Sequence, residues 1–334
     1  MSAPPTILVF DSGLGGLTVF REITKTHPGA RFIYAADDAF FPYGRHTEAE
    51  LTSRVVAVMG DLITTHSPDV VVVACNTAST LVLPELRHRF EVPFVGTVPA
   101  IKPACAASKS KLVSVLGTEA TVAREYTKVL IRNFAQGCDV TLVGSAQLAG
   151  IAEAALALED SESIKDAAIA AEIAPCFIDD SNRRTDTVVL ACTHFPLLLD
   201  RLKRNAPWGV DWIDPAPAIA RRVADILRPV PSTGSSNVHV VFTSGRTPSA
   251  GLISALARFG IVEAAPARIH EHGLPGGRNE QSGLAAFNID KVDVECLGGV
   301  QQWSQQEAEQ NEFAKHCFES YHTVVMLLEQ RLAT

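Results

Sequence analysis

The sequence predicts an α/β protein of two similar domains, each a mainly parallel sheet flanked by helices, with a cleft between them. Three observations carry that expectation. Short apolar runs alternate with amphipathic helical patterns along most of the chain, as parallel strands joined by crossover helices require. One run, residues 70–73, is unbroken valine, which suits a strand buried on both faces. Two pairs of segments are also alike in the two halves. Ile-Leu-Val-Phe-Asp-Ser-Gly at 7–13 matches Leu-Val-Ser-Val-Leu-Gly-Thr at 112–118, and Val-Val-Val-Ala-Cys-Asn-Thr at 71–77 matches Val-Val-Leu-Ala-Cys-Thr-His at 188–194.

In chain order, strands are expected at residues 7–10, 32–35, 70–74, 94–95, 112–116, 140–143, 188–191 and 212–213. Thr47 with Glu50 forms a capping box that opens a helix striped by Leu51, Val55, Val58, Met59 and Leu62. Asp214 followed by Pro215 opens another, with Ile219, Val223 and Ile226 facing inward. Residues 229–236 and the His-, Gly- and Pro-rich 266–283 read as loops. Residues 304–332 can form an amphipathic helix whose apolar stripe, Phe313, Cys317, Tyr321, Val324 and Leu328, must be covered by this chain or a second copy.

At 334 residues, 47% apolar and 20% charged, the chain can build two ordinary globular cores. A net charge of −8 argues against nucleic acid or an anionic membrane surface as the main partner. It does not argue against a small anion held by local amides. No apolar run reaches the roughly 18 residues of a spanning helix, and the N-terminus has no basic region of a signal peptide. Seven cysteines without close pairing fit a reducing compartment. A cytoplasmic protein is expected.

The chemistry-bearing residues sit where strands end. Ligands of open α/β sheets bind at the carboxyl ends of strands, and both Ala-Cys segments fall there. Cys75 is followed by Asn76, Thr77 and Ser79, and Cys192 by Thr193, His194 and Pro196, so both read as helix starts with capping side chains. A thiol there is expected to have its thiolate stabilised by the helix dipole. One such cysteine alone would read as a small core residue; two in matching positions read as a pair on opposite walls of one cleft. Two opposed thiols suit inversion at a carbon: one takes a proton while the other supplies one.

Asp11-Ser12-Gly13-Leu14-Gly15-Gly16 is neither a dinucleotide fingerprint nor a P-loop, and its amides are expected to bind a carboxylate. Asp11 itself reads as a helix cap or a site residue. Phe41-Pro42-Tyr43-Gly44 is a tight turn that presents a hydroxyl and amides, or an ordinary loop. His194 either activates Cys192 or is structural, and Glu153 alone reads as a solvated helix residue. His270 and His272 lack supporting ligand spacing, so no metal is expected.

Segments 9–19, 42–44, 74–79, 116–121 and 191–198 resemble those of bacterial glutamate racemases, within the aspartate/glutamate racemase superfamily. The resemblance runs in order from about residue 6 to 228, and Phe242-Thr243-Ser244-Gly245 is similar to the usual end of the domain. It implies cofactor-independent interconversion of L- and D-glutamate for peptidoglycan synthesis, in a protein that is commonly a homodimer. It implies that Cys75 acts on the D-enantiomer and Cys192 on the L-enantiomer, with Asp11, His194 and Glu153 assisting. Asp11, Ser12, Pro42, Tyr43, Gly44, Asn76, Thr77, Thr118, Thr121, Thr193 and His194 would hold the substrate. It also implies a first domain of residues 1–99 plus 211–262 around a second of 100–210. Residues 263–334 form a C-terminal extension with no recognised counterpart.

Competing readings are an aspartate or broader amino-acid racemase, and, from another class, a binding protein such as a gyrase inhibitor. A decarboxylase of the superfamily would keep one of the two cysteines, and a Cys–His hydrolase would leave Cys75 idle. Both thiols and Asp11 are present, which favours catalysis.

Overall fold

A strand with helices on both sides must be apolar at every position, and the valines of β3 (Val70–Val73) are all fully buried. Around it lie β1 (Thr6–Asp11), β2 (Arg31–Ala36), β4 (Phe94–Gly96) and β11 (Asn237–Phe242), in the order β11-β2-β1-β3-β4, every neighbouring pair parallel. The structure, a computed structural model, describes residues 4–135, 137–157, 165–180, 182–227 and 237–261. Side chains alternate between two cores. Ile7, Val9, Val70 and Val72 pack with Phe20 and Ile23 of α1 (Leu17–Thr26) and with Ile219 and Val223 of α10 (Ala216–Leu227). Leu8, Phe10, Val71 and Val73 pack with Leu51, Val55 and Met59 of α2 (Glu48–His66) and Val82 and Leu86 of α3 (Asn76–Arg89). Each such side chain contributes about 1.5–3 kcal/mol of transfer free energy.

The second sheet holds β5 (Leu112–Thr118), β6 (Asp139–Ser145), β9 (Thr187–Ala191) and β10 (Asp211–Ile213) in the order β10-β9-β5-β6, again parallel throughout. This repeats the order β4-β3-β1-β2 of the first sheet, so the similar segments at 7–13 and 112–118, and at 71–77 and 188–194, occupy equivalent strands. One boundary moves: Asp211–Ile213 is the edge strand of the second sheet, so the chain returns to the first after Ile213 rather than at 211. The Asp211 amide bonding the Asp186 carbonyl at 2.8 Å extends that ladder.

Helix signals are realised as the residues dictate. Thr47 and Glu50 form both bonds of the capping box, and Asp214 Oδ1 accepts the Ala216 amide at 2.9 Å at the start of α10. Two strand features go beyond the expected set. β11 carries an alternating Val238, Val240, Phe242 signal toward the α1 side. The hairpin of β7 (Asp179–Asp180) and β8 (Arg183–Arg184) is charged at every position, so apolar periodicity cannot mark it. The loops expected at 229–236 and 266–283, the helix expected at 304–332 and the C-terminal extension beyond 263 lie outside the described residues. No described helix is long and apolar enough to cross a membrane.

The connection from the first sheet to the second is fastened by Asp186. Its carboxylate accepts Ser108 Oγ and the Lys109 and Ser110 amides at 2.7 Å each, and Thr187 Oγ1 at 2.9 Å. Burial alone would raise this carboxyl; the donors win and hold it at about 2, below the ordinary 3.8. A depressed folded-state value stabilises the fold above the unfolded value and is lost as pH falls through the folded one. Asp186→Asn should therefore cost about 1–3 kcal/mol at pH 7. Its deficit against wild type in urea titrations should shrink as the pH is lowered from about 4 toward 2. Equal stability at pH 7 would refute this role.

Candidate active site

Each of the two sheets delivers one thiol to a single pocket. Cys75 stands two residues past the end of β3 as the N-cap of α3, and Cys192 follows β9 directly, ahead of a 3-10 turn at Phe195–Leu198. Both are buried, each about 5% exposed, and both line the pocket. The expectation of a helix-stabilised thiolate fails for Cys75. Burial pushes its thiol up to about 12, the charge of Asp11 adds to that, and the Ala78 amide and Ser12 hydroxyl only partly oppose it. Desolvation outweighs the helix terminus. Cys192 precedes no regular α-helix within its turn, so its partner is a side chain: His194 Nδ1 lies 3.7 Å from its sulfur.

The capping expectation also fails, for a reason that matters. Neither helix start carries a side-chain cap. Thr193 Oγ1 instead donates to Asp11 Oδ1 at 3.2 Å, and His194 Nε2 meets Glu153 Oε1 at 2.8 Å. Asn76 is 2% exposed, and neither its amide nitrogen nor its amide oxygen has a partner. A buried amide with no partner in the protein is a ready recognition group for a molecule in the pocket it lines.

The glycine loop binds carboxylates, as its sequence suggests, but they belong to the protein. Asp11 Oδ2 takes the Gly13 and Gly16 amides at 3.1 Å each, and Glu153 Oε1 takes the Leu14 amide. The glycines clear space for this packing. A Cβ on Gly13 would stand 2.2 Å from Glu153 Oε1, and one on Gly15 would stand 2.5 Å from His194 Nδ1. Glu153, from α7 (Leu148–Ala157), is thus not a solvated helix residue: its side chain is 19% exposed. For Glu153, burial is overcome by the bond to His194, which lowers its carboxyl. For His194, burial is overcome by the bonds to Cys192 and Glu153, which raise its ring well above the usual range. The result is a buried cation between a sulfur and a carboxylate.

Ser12, Phe41, Pro42, Tyr43, Gly44, Cys75, Asn76, Thr77, Thr118, Ala149, Cys192, Thr193 and His194 line one pocket. Three expected site residues stand behind this wall. Asp11 is fully buried beneath the loop, Glu153 behind His194, and Thr121 behind Thr77 and Thr118, whose hydroxyls it meets at 3.2 and 2.8 Å. Tyr43 lines the pocket, but its hydroxyl donates to Asp37 Oδ2 at 2.8 Å and is not presented to a ligand. Phe41 and Ala149 complete the wall without an expectation from sequence. As apolar residues beside a motif they carry no chemical signal, though Phe41 stands next to the Pro-Tyr-Gly turn.

Fold and pocket together define a class: two related parallel α/β units that line one pocket with a thiol from the matching strand end of each. The chain belongs to the Asp/Glu/hydantoin racemase family, whose sequence model matches residues 12–223. It is 51% identical over 258 residues to the glutamate racemase of Brucella canis, covering 76% of this chain and 92% of that one. Among solved structures it is similar to an Escherichia coli glutamate racemase in complex with L-glutamate and the activator UDP-MurNAc-Ala. The identity there is 39% and the TM-score 0.70, over 78% of this chain and 97% of that one. A glutamate racemase from Bacillus anthracis is similar at 25% identity and TM-score 0.66, over 79% and 97%.

The glycine loop gives a direct test. Gly15→Ala would place a methyl group 2.5 Å from His194 Nδ1 and 2.7 Å from its backbone nitrogen. The ring must move, and racemase activity should fall by at least about 100-fold while far-UV circular dichroism stays native. A variant with the wild-type rate would show that the ring's position is not required.

Proposed function

We propose that this chain interconverts L- and D-glutamate without a cofactor, using Cys75 and Cys192 as opposed acid and base. The observation that carries the reading is that both thiols line one pocket, each from the equivalent strand end of a related sheet. Its family and its likeness to glutamate racemases support the reaction and the substrate. From L-glutamate, Cys192 as thiolate takes the α-proton, and the carbon is reprotonated on its other face by the Cys75 thiol, which becomes the thiolate. From D-glutamate the roles exchange.

The environments of the two thiols suit this sequence. With its thiol held at about 12, Cys75 in the free protein keeps its proton at neutral pH and is ready to donate it. Cys192 faces a cationic imidazole that offsets negative charge on its sulfur, and Glu153 holds that ring in place. Asp11 acts through position and charge, joining the loop to Thr193 beneath the thiols. Asn76 with Thr77, Thr118 and Thr193 supplies neutral donors and acceptors for the substrate carboxylates and ammonium, helped by Ser12 and the backbone of Tyr43-Gly44. The division that accompanies this reading is residues 1–99 with the segment after 213 around a domain of 100–213. The protein works in the cytoplasm as a homodimer, and its D-glutamate enters peptidoglycan.

Cys75→Ala and Cys192→Ala should each abolish racemisation of both enantiomers, followed by circular dichroism from pure L- or D-glutamate, because one face then lacks its proton carrier. Aspartate, one methylene shorter, cannot fill both carboxylate subsites together, and a buried charge left unpaired is costly. Its kcat/KM should fall below that of glutamate by about 1,000-fold or more. Substantial turnover by either single variant would end the two-thiol reading, and comparable rates on aspartate would end the choice of substrate.

A further inference from the structure

Behind the Pro-Tyr-Gly turn lies a charged group that the reaction does not use. Asp37, one residue past the end of β2, is fully buried. Arg54 of α2 reaches it with Nη2 at 2.7 Å and Nε at 3.2 Å from both carboxylate oxygens, and Thr243, one residue past the end of β11, donates Oγ1 at 2.7 Å. The fourth donor is the Tyr43 hydroxyl at 2.8 Å. Four elements therefore meet on one carboxylate: the end of β2, the end of β11, the middle of α2 and the turn that walls the pocket.

This arrangement is a costly one. A carboxylate with no exposure must be matched by several donors, and a side-on guanidinium is the geometry that best supplies them. A core residue would satisfy the fold at this place with less desolvation. Here the carboxylate binds Tyr43, the residue of the turn that shares a buried cluster with Cys75 and also lines the pocket. Burial and the neighbouring Asp37 charge raise the Tyr43 phenol well above its ordinary value, so it remains a donor at any physiological pH. The Arg54 guanidinium also lies 5.8 Å over the Phe40 ring, and Phe40 packs edge-on to Tyr43 at 6.3 Å, which closes the turn from its other side.

We infer that Asp37 and Arg54 are positioning residues for glutamate: by pinning the Tyr43 hydroxyl they hold the turn 41–44 at the spacing from Asn76 and Thr77 that the substrate needs. This rests on the glutamate reading of the pocket. Neither residue touches the pocket, so the substrate-binding step should feel their loss more than the proton transfers do.

The test uses the full-length protein and three variants: Tyr43→Phe, which removes only the hydroxyl, Arg54→Gln, and Arg54→Lys, which keeps the charge but not the fork. KM and kcat are measured in both directions together with Tm. Arg54→Gln should raise KM for both enantiomers about tenfold, with kcat lowered less than about threefold. Tyr43→Phe should shift KM the same way by a smaller factor, and Arg54→Lys should restore KM only partly, because a point charge does not reproduce a bidentate pair. Wild-type KM in Tyr43→Phe and Arg54→Gln, with only Tm lowered, would make the network purely structural and overturn the inference. So would a fall in kcat at unchanged KM. A wild-type protein that racemises no glutamate would remove the glutamate reading, and this inference with it, so the wild-type arm separates the two failures. If Arg54→Gln does not fold, the Tyr43→Phe comparison decides alone.

Discussion

A carboxylate drawn out of water has to be matched by donors, and Glu153 finds its donors on both sides of the cleft. It rises from α7, beside the second sheet, and accepts the Leu14 amide from the loop that follows β1 of the first. Its Oε1 also meets His194 Nε2, so one oxygen fixes the loop and orients the ring that faces Cys192. Asp11 does the matching task from the other half, holding the loop amides with one oxygen and Thr193 with the other. The glycines at 13 and 15 follow from this constraint, since any side chain there would occupy the space of the carboxylate and the imidazole. The loop's freedom from side chains is a packing requirement of the Glu153 carboxylate and the His194 ring.

The two thiols are close in kind and unlike in setting. Cys75 has a hydroxyl beside it, Ser12 Oγ at 3.6 Å, and an acidic residue below, so burial keeps it neutral until substrate brings a compensating charge. Cys192 has a cation in contact through a bond that Glu153 sustains. An ammonium group entering the pocket would favour the thiolate of Cys75 by the same Coulombic argument, which ties its reactivity to occupancy. Nearby, the bare amide of Asn76 keeps the pocket's recognition groups free because no internal partner competes for them.

Much of the fold was legible because buried parallel strands must be nearly continuous apolar runs, and eight of the strands carry that mark in sequence. The duplicated Ala-Cys segments placed the thiols, since equivalent strand ends of related sheets must face one cleft. What escaped was non-local. The amides of the glycine loop were expected to hold a ligand, but Glu153, 139 residues away from Leu14, fills one of them. Asn76 and Thr193 read as helix caps because their residue types favour caps; only the tertiary structure shows their side chains turned elsewhere. The Tyr43 hydroxyl looked available until Asp37, Arg54 and Thr243 assembled around it, and no spacing joins residues 17 and 206 apart. The β7–β8 hairpin has only charged side chains and offers no period to read.

The central claim is that the α-proton leaves by one thiol and arrives from another. Following L-glutamate through its first turnovers in heavy water, with mass spectrometry of each enantiomer separately, tests it most directly. Two monoprotic bases on opposite faces predict D-glutamate that carries one solvent deuterium at Cα while the remaining L-glutamate stays protiated. Deuterium appearing in recovered L-glutamate as fast as in the product, or product that keeps the original hydrogen, would mean that a single group serves both faces and would contradict the account.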